Sequence, residues 1–455
     1  MTSNSSSLGR LDAYHIEGLW GRRTIHFSPV RPGPTLLTGA NGSGKSTVLR
    51  TVHAVGSGLW LDLLATSFET LELHFDTGEW IRVSRVPERS DEALLVALSG
   101  YEPWLLDRRE LDFPDTDELG AYRGVRRLPN GWEMEGRIYS ASELRELLAI
   151  RDAAALDEAE WVADIPSRFP VLYIPDQRLF TRGPQATRRG SLPTRLGTRA
   201  AGTAEQYSRD LGRQIADGLS RYAAQSQTLD REFPQKVVEA MARSVDVTRD
   251  ELTALLDRVD AEREDLESAG LLQREEHSVH FESESLPDPQ ILPVIKVYAE
   301  DTLAKFSVLA ELKEQLKTFA GFLNAHYTGK RIEIRQRGGF LIAVVDKDED
   351  EHEHLVDVLS PSHLSSGEQQ VLVLAYQILF MTEPRTLILI DEPELSLHVL
   401  WQSTLIEDLT RMGSVRDVDF LVATHSPTLV GSREDLRISL DGSGDNPSEL
   451  AEPVR

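Results

Sequence analysis

Thr35–Thr47 reads TLLTGANGSGKST. The apolar pair Leu36-Leu37 has the character of a buried strand. It runs into Gly39, Ala40, Asn41, Gly42, Ser43, Gly44, Lys45 and Ser46, which follow the G-x-x-x-x-G-K-[ST] spacing of a phosphate-binding loop. Glycine lets successive backbone N–H groups turn toward an anion, Lys45 carries charge to the β and γ oxygens, and Ser46 offers a hydroxyl to Mg²⁺. A helix from about Lys45 through Thr47 to Val55 aims the positive end of its dipole at the same anion and stops at Gly56-Ser57-Gly58. The candidate nucleotide contacts are therefore Gly39, Asn41, Gly42, Ser43, Gly44, Lys45, Ser46 and Thr47, and the expected ligands are a nucleoside triphosphate and Mg²⁺.

Working outward, the 455 residues have room for two or three domains, or for one large head with insertions. A formal net charge of −25 argues against a protein that coats DNA over most of its surface. One stretch runs the other way: Arg178–Arg199 holds six arginines and no carboxylate. It reads equally as a loop that touches nucleic-acid phosphates or as a solvated loop offsetting acidic surroundings. No apolar run approaches the ~20 residues of a membrane span, and Met1–Ser7 lacks the apolar segment of a signal peptide. The absence of cysteine excludes a disulfide framework, a thiolate metal site and a Cys nucleophile. A soluble cytoplasmic protein is expected.

Strands are expected at Leu11–Ile16 and Thr24–Phe27 around Gly18–Gly21, at Thr70–Phe75 and Trp80–Val86 around Thr77-Gly78, and at Ala93–Leu98, together forming an antiparallel sheet beside the nucleotide core. Tyr101–Asn130 shows no usable pattern. Ser140 and Glu143 form a capping box for a helix through Ile150, and Val171–Ile174 reads as a buried strand ending near Gln177 and Arg178. From about Ala204 to Ala325 the apolar spacing is helical, with one long helix carrying Leu303 through Leu323. It is read as a helical insertion resembling a short antiparallel coiled coil. Arg331–Arg335 and Phe340–Val345 form a hairpin about Gly338-Gly339. The acidic string Asp346–His354 reads as a solvated turn in preference to a metal site.

A second group of motifs complements the loop. Leu387–Ile390 is a continuous apolar strand ending in Asp391 and Glu392, where Asp391 is placed to hold Mg²⁺ opposite Ser46 and Glu392 to polarise a water. Ser365-Ser366-Gly367-Glu368 opens an apolar helix, and the strand Phe420–Ala423 ends in Thr424-His425. These four motifs together resemble the ABC-type ATPase heads of the SMC/Rad50/RecF/OLD group: GANGSGKS is similar to Walker A, LSSGEQQ to the signature, LILIDEPE to Walker B and ATHSP to the switch-histidine strand. The resemblance implies an α/β P-loop head, a mixed sheet plus an antiparallel β subdomain, with a helical or coiled-coil insertion. It also implies a head-to-head dimer sandwiching two ATP molecules. Ser365, Ser366, Gly367 and the adjoining Glu368 would then meet the γ-phosphate bound by the partner, Glu392 would be the catalytic base, His425 the γ-phosphate sensor, and Gln177 the Q-loop residue.

Where transporter and SMC heads carry a D-loop Asp, this chain has Glu394-Leu395-Ser396-Leu397-His398. EPELSLH instead resembles OLD and prokaryotic defence ATPases such as the PtuA subunit of Septu and retron systems and the AriA subunit of PARIS. The thirty residues after His425 leave no room for the TOPRIM nuclease of OLD proteins. The expected division is a tail over 1–10, head segments over 11–180 and 326–442, a basic loop and helical insertion over 181–325, and a second tail over 443–455. The expected role is an ATPase sensor or scaffold of an antiphage complex that controls a separate effector nuclease. The alternative is a RecF- or Rad50-like DNA-binding repair ATPase, favoured by the arginine loop and disfavoured by the short insertion. A transporter subunit is disfavoured by the distance between the loop and the signature.

Overall fold

The strand that feeds the phosphate loop, Thr35–Thr38, is internal to a five-stranded sheet ordered Val171–Ile174, Leu387–Asp391, Asp419–Ala423, Thr35–Thr38, Arg437–Ser439. Every pairing in it is parallel. Parallel sheets are covered on both faces, which is why Leu36, Leu37, Ile388, Leu389, Ile390 and Val422 form uninterrupted apolar runs and are buried. The computed structural model describes residues 7–31, 33–89, 91–122, 124–128, 131–134, 137–157, 159–175, 197–242, 248–273, 291–347, 353–396, 399–431 and 433–441. It divides into two units, residues 1–194 with 382–455 and residues 195–381. No helix among the described residues is long and apolar enough to cross a membrane.

In the first unit the helix Lys45–Ser57 follows the loop and ends at Gly58, whose φ of 69° lets its N–H turn back to the Ala54 and Val55 carbonyls. Beside it lies a six-stranded antiparallel sheet in the order Arg23–Phe27, Leu11–Leu19, Thr70–Phe75, Trp80–Arg85, Ala93–Leu98, Trp104–Asp107. Alternation delivers Leu71, Leu73 and Phe75 to the core. The mixture of strand directions expected of the head is thus divided between two sheets. Elements without a sequence signal include the strand Trp104–Asp107, a small sheet of Val125–Leu128, Gly131–Met134 and Arg137–Tyr139, and the helices Trp161–Arg168 and Leu405–Arg416. The capping box at Ser140 forms as read, and its helix continues to Leu156. The expected tail over 1–10 is too long, because Leu8 is buried and its N–H bonds the Arg168 carbonyl.

The second unit contains the helices Gly197–Ala242, Arg249–Ser268, Leu292–Ser307 and Ala310–His326. Lys236 pairs with Asp301 at 2.8 Å and Lys305 with Asp230 at 2.7 Å, so Gly197–Ala242 and Leu292–Ser307 run antiparallel. The single helix expected across Leu303–Leu323 is broken at Val308-Leu309, where the Leu309 N–H turns to the Phe306 carbonyl and the Leu309 side chain is buried. Three antiparallel strands follow: Lys330–Arg335, Gly339–Lys347 and Glu353–Leu359. The acidic turn is correspondingly shorter than expected, since Asp346 pairs with His354 and Lys347 with Glu353. Residues 348–352 lie outside the described residues. Gly339 allows the hairpin to meet the long helix: a Cβ there would lie 1.9 Å from the Ser208 carbonyl oxygen. The Ser208 hydroxyl donates to the Gly338 and Phe340 carbonyls, both at 2.9 Å, and fixes that approach.

Candidate nucleotide site

Gly39, Gly42 and Gly44 take φ values of 150°, 80° and 103°, the left-handed geometry that turns a loop around an anion. Asn41 and Gly42 are exposed, Ser46 and Thr47 are half-buried in the first helical turn, and Ser43, Gly44 and Lys45 are buried. The Lys45 Nζ donates to the Gly39 carbonyl at 2.9 Å and the Ala40 carbonyl at 3.3 Å. Burial pushes this ammonium below the usual lysine range, against the pull of Glu392, Asp441, Asp391 and Glu394.

The parallel register brings the ends of the strands Leu387–Asp391 and Asp419–Ala423 to the same sheet end as the loop. Asp391 ends its strand next to Ala423, and Thr424 donates its N–H to the Leu37 carbonyl. One Asp391 oxygen accepts from the Ser46 hydroxyl at 2.9 Å and the other from the Tyr173 hydroxyl at 3.1 Å. Burial, with Asp391 beside it, raises the Tyr173 hydroxyl to about 12, so it remains a donor. His425 joins the two halves. Its Nδ1 lies 3.4 Å from Lys45 Nζ and its Nε2 lies 3.3 Å from Glu392 Oε1. An ammonium only donates and a carboxylate only accepts, so the neutral ring carries its proton on Nε2. Glu392 is held at φ 44°, a strained conformation for a residue with a side chain, and its N–H bonds the Ala423 carbonyl at 2.9 Å.

Glu394, the departure from the D-loop pattern, organises the histidine. Its Oε1 accepts from the Thr424 hydroxyl at 2.7 Å, the His425 N–H at 2.7 Å and the Ser426 N–H at 3.1 Å. Sequence reading placed Glu394 in a variant motif without giving it this task. It also missed Tyr173, Asp441 and Trp20. Trp20 sits in the Gly18–Gly21 turn at φ 54°, 44% exposed, with the tip of its indole against Gly44: a Cβ on that glycine would meet it at 3.6 Å. The available signal was a large aromatic in a tight glycine turn.

In the second unit, Ser365 caps the helix Ser366–Phe380. Ser365 and Ser366 are exposed and Gly367 is half-buried, whereas Glu368 is buried. The Ser365 N–H and hydroxyl both donate to Glu368 Oε2 at 2.8 Å, and Lys330 Nζ reaches the two carboxylate oxygens at 2.7 and 2.8 Å. Burial opposes the Glu368 charge, yet Lys330 and Ser365 hold its carboxyl below the usual range. Glu368 is thus committed to the cap, and the serines and the first helical N–H groups form its outward face. Gln177 and the arginine stretch through residue 196 lie outside the described residues. The remainder of that stretch opens the helix Gly197–Ala242.

The residues present fit a nucleotide with a divalent cation. Ser46 and Asp391 supply hard oxygen donors side by side, and the Ser43 hydroxyl is buried within the loop with no hydrogen-bond partner among the described residues.

A family model described as AAA domain, putative AbiEii toxin, Type IV TA system matches residues 214–431, a span that includes the Ser365 cap, Asp391, Glu392 and His425 but not the phosphate loop. No curated protein sequence matches the chain. Among solved structures, the Smc head domain of Pyrococcus furiosus, with an extended coiled coil and bound to the C-terminal domain of ScpA, is 15% identical with a TM-score of 0.33. The Smc head domain of Thermotoga maritima is 12% identical with a TM-score of 0.31. Each alignment covers 92% of this chain and 91% of the other. At such scores the fold assignment rests on the chain's own strand order and phosphate loop, which are those of an α/β P-loop fold with a nucleotide-binding loop.

Proposed function

We propose that this chain binds ATP with Mg²⁺ and hydrolyses it. The observation that carries this reading is the pair of contacts Ser46–Asp391 and Lys45–His425–Glu392, which link residues separated by up to 380 positions at one end of one sheet. Lys45 exchanges its loop carbonyls for phosphate oxygens, and Trp20 offers the base an aromatic face. Ser46 and Asp391 would hold Mg²⁺, which when bound would supply charge neutralisation to the phosphates. Glu392 takes the proton of the attacking water as the new P–O bond forms and the β–γ bridge breaks, giving ADP and phosphate. His425, its Nε2–H on Glu392, fixes the direction of that carboxylate.

In the finer reading, two heads close on two ATP molecules so that Ser365, Ser366 and Gly367 meet the nucleotide of the other head. The cytoplasmic assembly is the sensor or scaffold of an antiphage system that governs a separate effector nuclease. EPELSLH supports it. The test has two parts. Glu392→Gln is expected to retain ATP binding and to lower turnover by about 10²–10³-fold; full turnover in that variant overturns the assignment of the base. Co-expression with flanking genes is expected to yield a stoichiometric nuclease. Salt-sensitive DNA binding with no protein partner would replace the defence role with a repair clamp.

A further inference from the structure

We propose that Asp441 is a positioning residue for the phosphate loop, acting from the far end of the chain through the Gly39–Ala40 peptide. This proposal rests on the ATPase reading of the loop. Both Asp441 oxygens accept the Ala40 N–H, at 2.8 and 3.0 Å. A trans peptide is planar, so its N–H and carbonyl point in opposite directions. Holding the Ala40 N–H on Asp441 turns the Gly39 carbonyl to the other side, where it accepts from Lys45 Nζ at 2.9 Å. The carboxylate thereby sets the acceptor on which the phosphate-binding ammonium is parked. Gly39 makes the approach possible, because a Cβ there would stand 3.0 Å from the nearer Asp441 oxygen.

Sheet register delivers Asp441 to this place. Ser439 pairs with Thr38 at the edge of the parallel sheet, so Asp441 arrives beside Ala40, each two residues further on. The Leu440 N–H bonds the Thr38 carbonyl at 2.8 Å and Arg437 Nε donates to the Thr38 hydroxyl at 2.9 Å, locking that register. Arg23, from the antiparallel sheet, closes the clasp: its guanidinium donates to the Leu440 carbonyl and reaches the Gly42 carbonyl at 3.5 Å. The matched family span stops at residue 431, short of this strand.

The experiment compares equilibrium binding of a fluorescent ATP analogue and steady-state ATPase kinetics in Asp441→Ala, Asp441→Asn and Arg23→Ala, together with hydrogen exchange at the Ala40 amide. Asp441→Ala is expected to raise KM and Kd about five- to tenfold with kcat within about twofold, the size of one net hydrogen bond at an exposed site. Asn retains an acceptor for the single N–H, so Asp441→Asn is expected within about twofold of wild type. Arg23→Ala combined with Asp441→Ala is expected to cost less than the product of the two separate effects. Wild-type KM in Asp441→Ala, or equal loss in the Ala and Asn variants, overturns the proposal. The Ala40 amide separates the two readings. It is expected to be protected in wild type and unprotected in Asp441→Ala whether or not ATP is hydrolysed, and an unchanged exchange rate overturns the clasp by itself.

Discussion

The nucleotide loop and the signature helix are stabilised in opposite ways. Around the loop, polar side chains satisfy one another: Lys45 with His425, His425 with Glu392, Ser46 with Asp391, Asp391 with Tyr173. On the proposed ATPase reading each such bond is exchanged for a bond to phosphate, water or metal when the nucleotide enters. In the second unit the polar groups are spent on the frame: Glu368 on Lys330 and Ser365, Ser208 on the hairpin carbonyls, Tyr376 on Asp210 at 2.6 Å. What remains outward is a fixed helix end carrying Ser365 and Ser366. A site that must rearrange is built from mutually satisfied side chains, and one that must only present donors is built on close backbone packing.

The contrast is broken most severely at the hairpin glycines. Gly339→Ala drives a methyl into the Ser208 carbonyl at 1.9 Å and also strains a residue at φ 81°. A loss of about 3 kcal/mol is expected, seen as a lowered denaturation midpoint and as faster amide exchange along Gly197–Ala242. Gly338→Ala is the control. Its φ is 94° but nothing lies within 4 Å of the added Cβ, so only the conformational penalty of about 1 kcal/mol is expected. Equal effects at the two positions would mean that the helix does not rest on the hairpin backbone.

On the nucleotide side the comparison is sharpened by pH. Burial pushes the His53 imidazole down to about 4, and its ring stacks on Tyr173 with centroids 5.2 Å apart. The folded state therefore binds fewer protons than the unfolded chain between about pH 4 and 6.5, and stability contributed by this residue falls as pH drops through that window. Burial raises Glu146, whose carboxylate accepts the Leu61 N–H, to about 7. Its folded form holds an extra proton between about pH 4.5 and 7, so its contribution falls as pH rises. Each effect is on the order of 3 kcal/mol, and the two oppose each other from pH 4.5 to 6.5. Chemical denaturation across that range is expected to tilt upward with pH in Glu146→Gln and downward in His53→Leu. Parallel profiles in both variants would refute the pairing.

The sequence made visible what repeats a chemical rule. The phosphate loop, the two carboxylates after a buried strand, the capping box at Ser140, the helix opening at Ser365 and the hairpins with glycine turns all rest on local spacing, and the structure forms them. Trp104–Asp107 was illegible because a four-residue edge strand carries too little alternation to stand out from an aromatic loop. The break at Val308-Leu309 was hidden for the opposite reason: both helices contribute apolar residues in continuous phase, and only the turn that buries Leu309 separates them. Asp441 and Tyr173 were beyond reach because their roles depend on which strands are neighbours in the sheet. Tyr173 belongs to the strand beside Leu387–Asp391, a pairing across more than 200 residues that spacing does not encode.

The smallest effect is expected where the two regions use the same residue type for different ends. Glu392 and Glu368 each lie at the head of a motif, yet Glu392 faces His425 beside the phosphate loop while Glu368 is bonded to Lys330 and Ser365. Glu368→Gln keeps the shape and an oxygen acceptor for the Ser365 N–H, while removing the charge that answers Lys330. A cost of about 1–2 kcal/mol in stability is expected, with ATP turnover within about threefold of wild type. The pH dependence identifies the source. The Glu368 carboxyl is held below its usual value in the folded state, so its contribution is present above about pH 4.5 and is lost as pH falls through the folded value. The gap between wild type and Glu368→Gln should therefore close on acidification. A turnover loss comparable to that of Glu392→Gln would show instead that Glu368 reaches the nucleotide, and that the signature, like the loop, exchanges its internal bonds for ligand bonds.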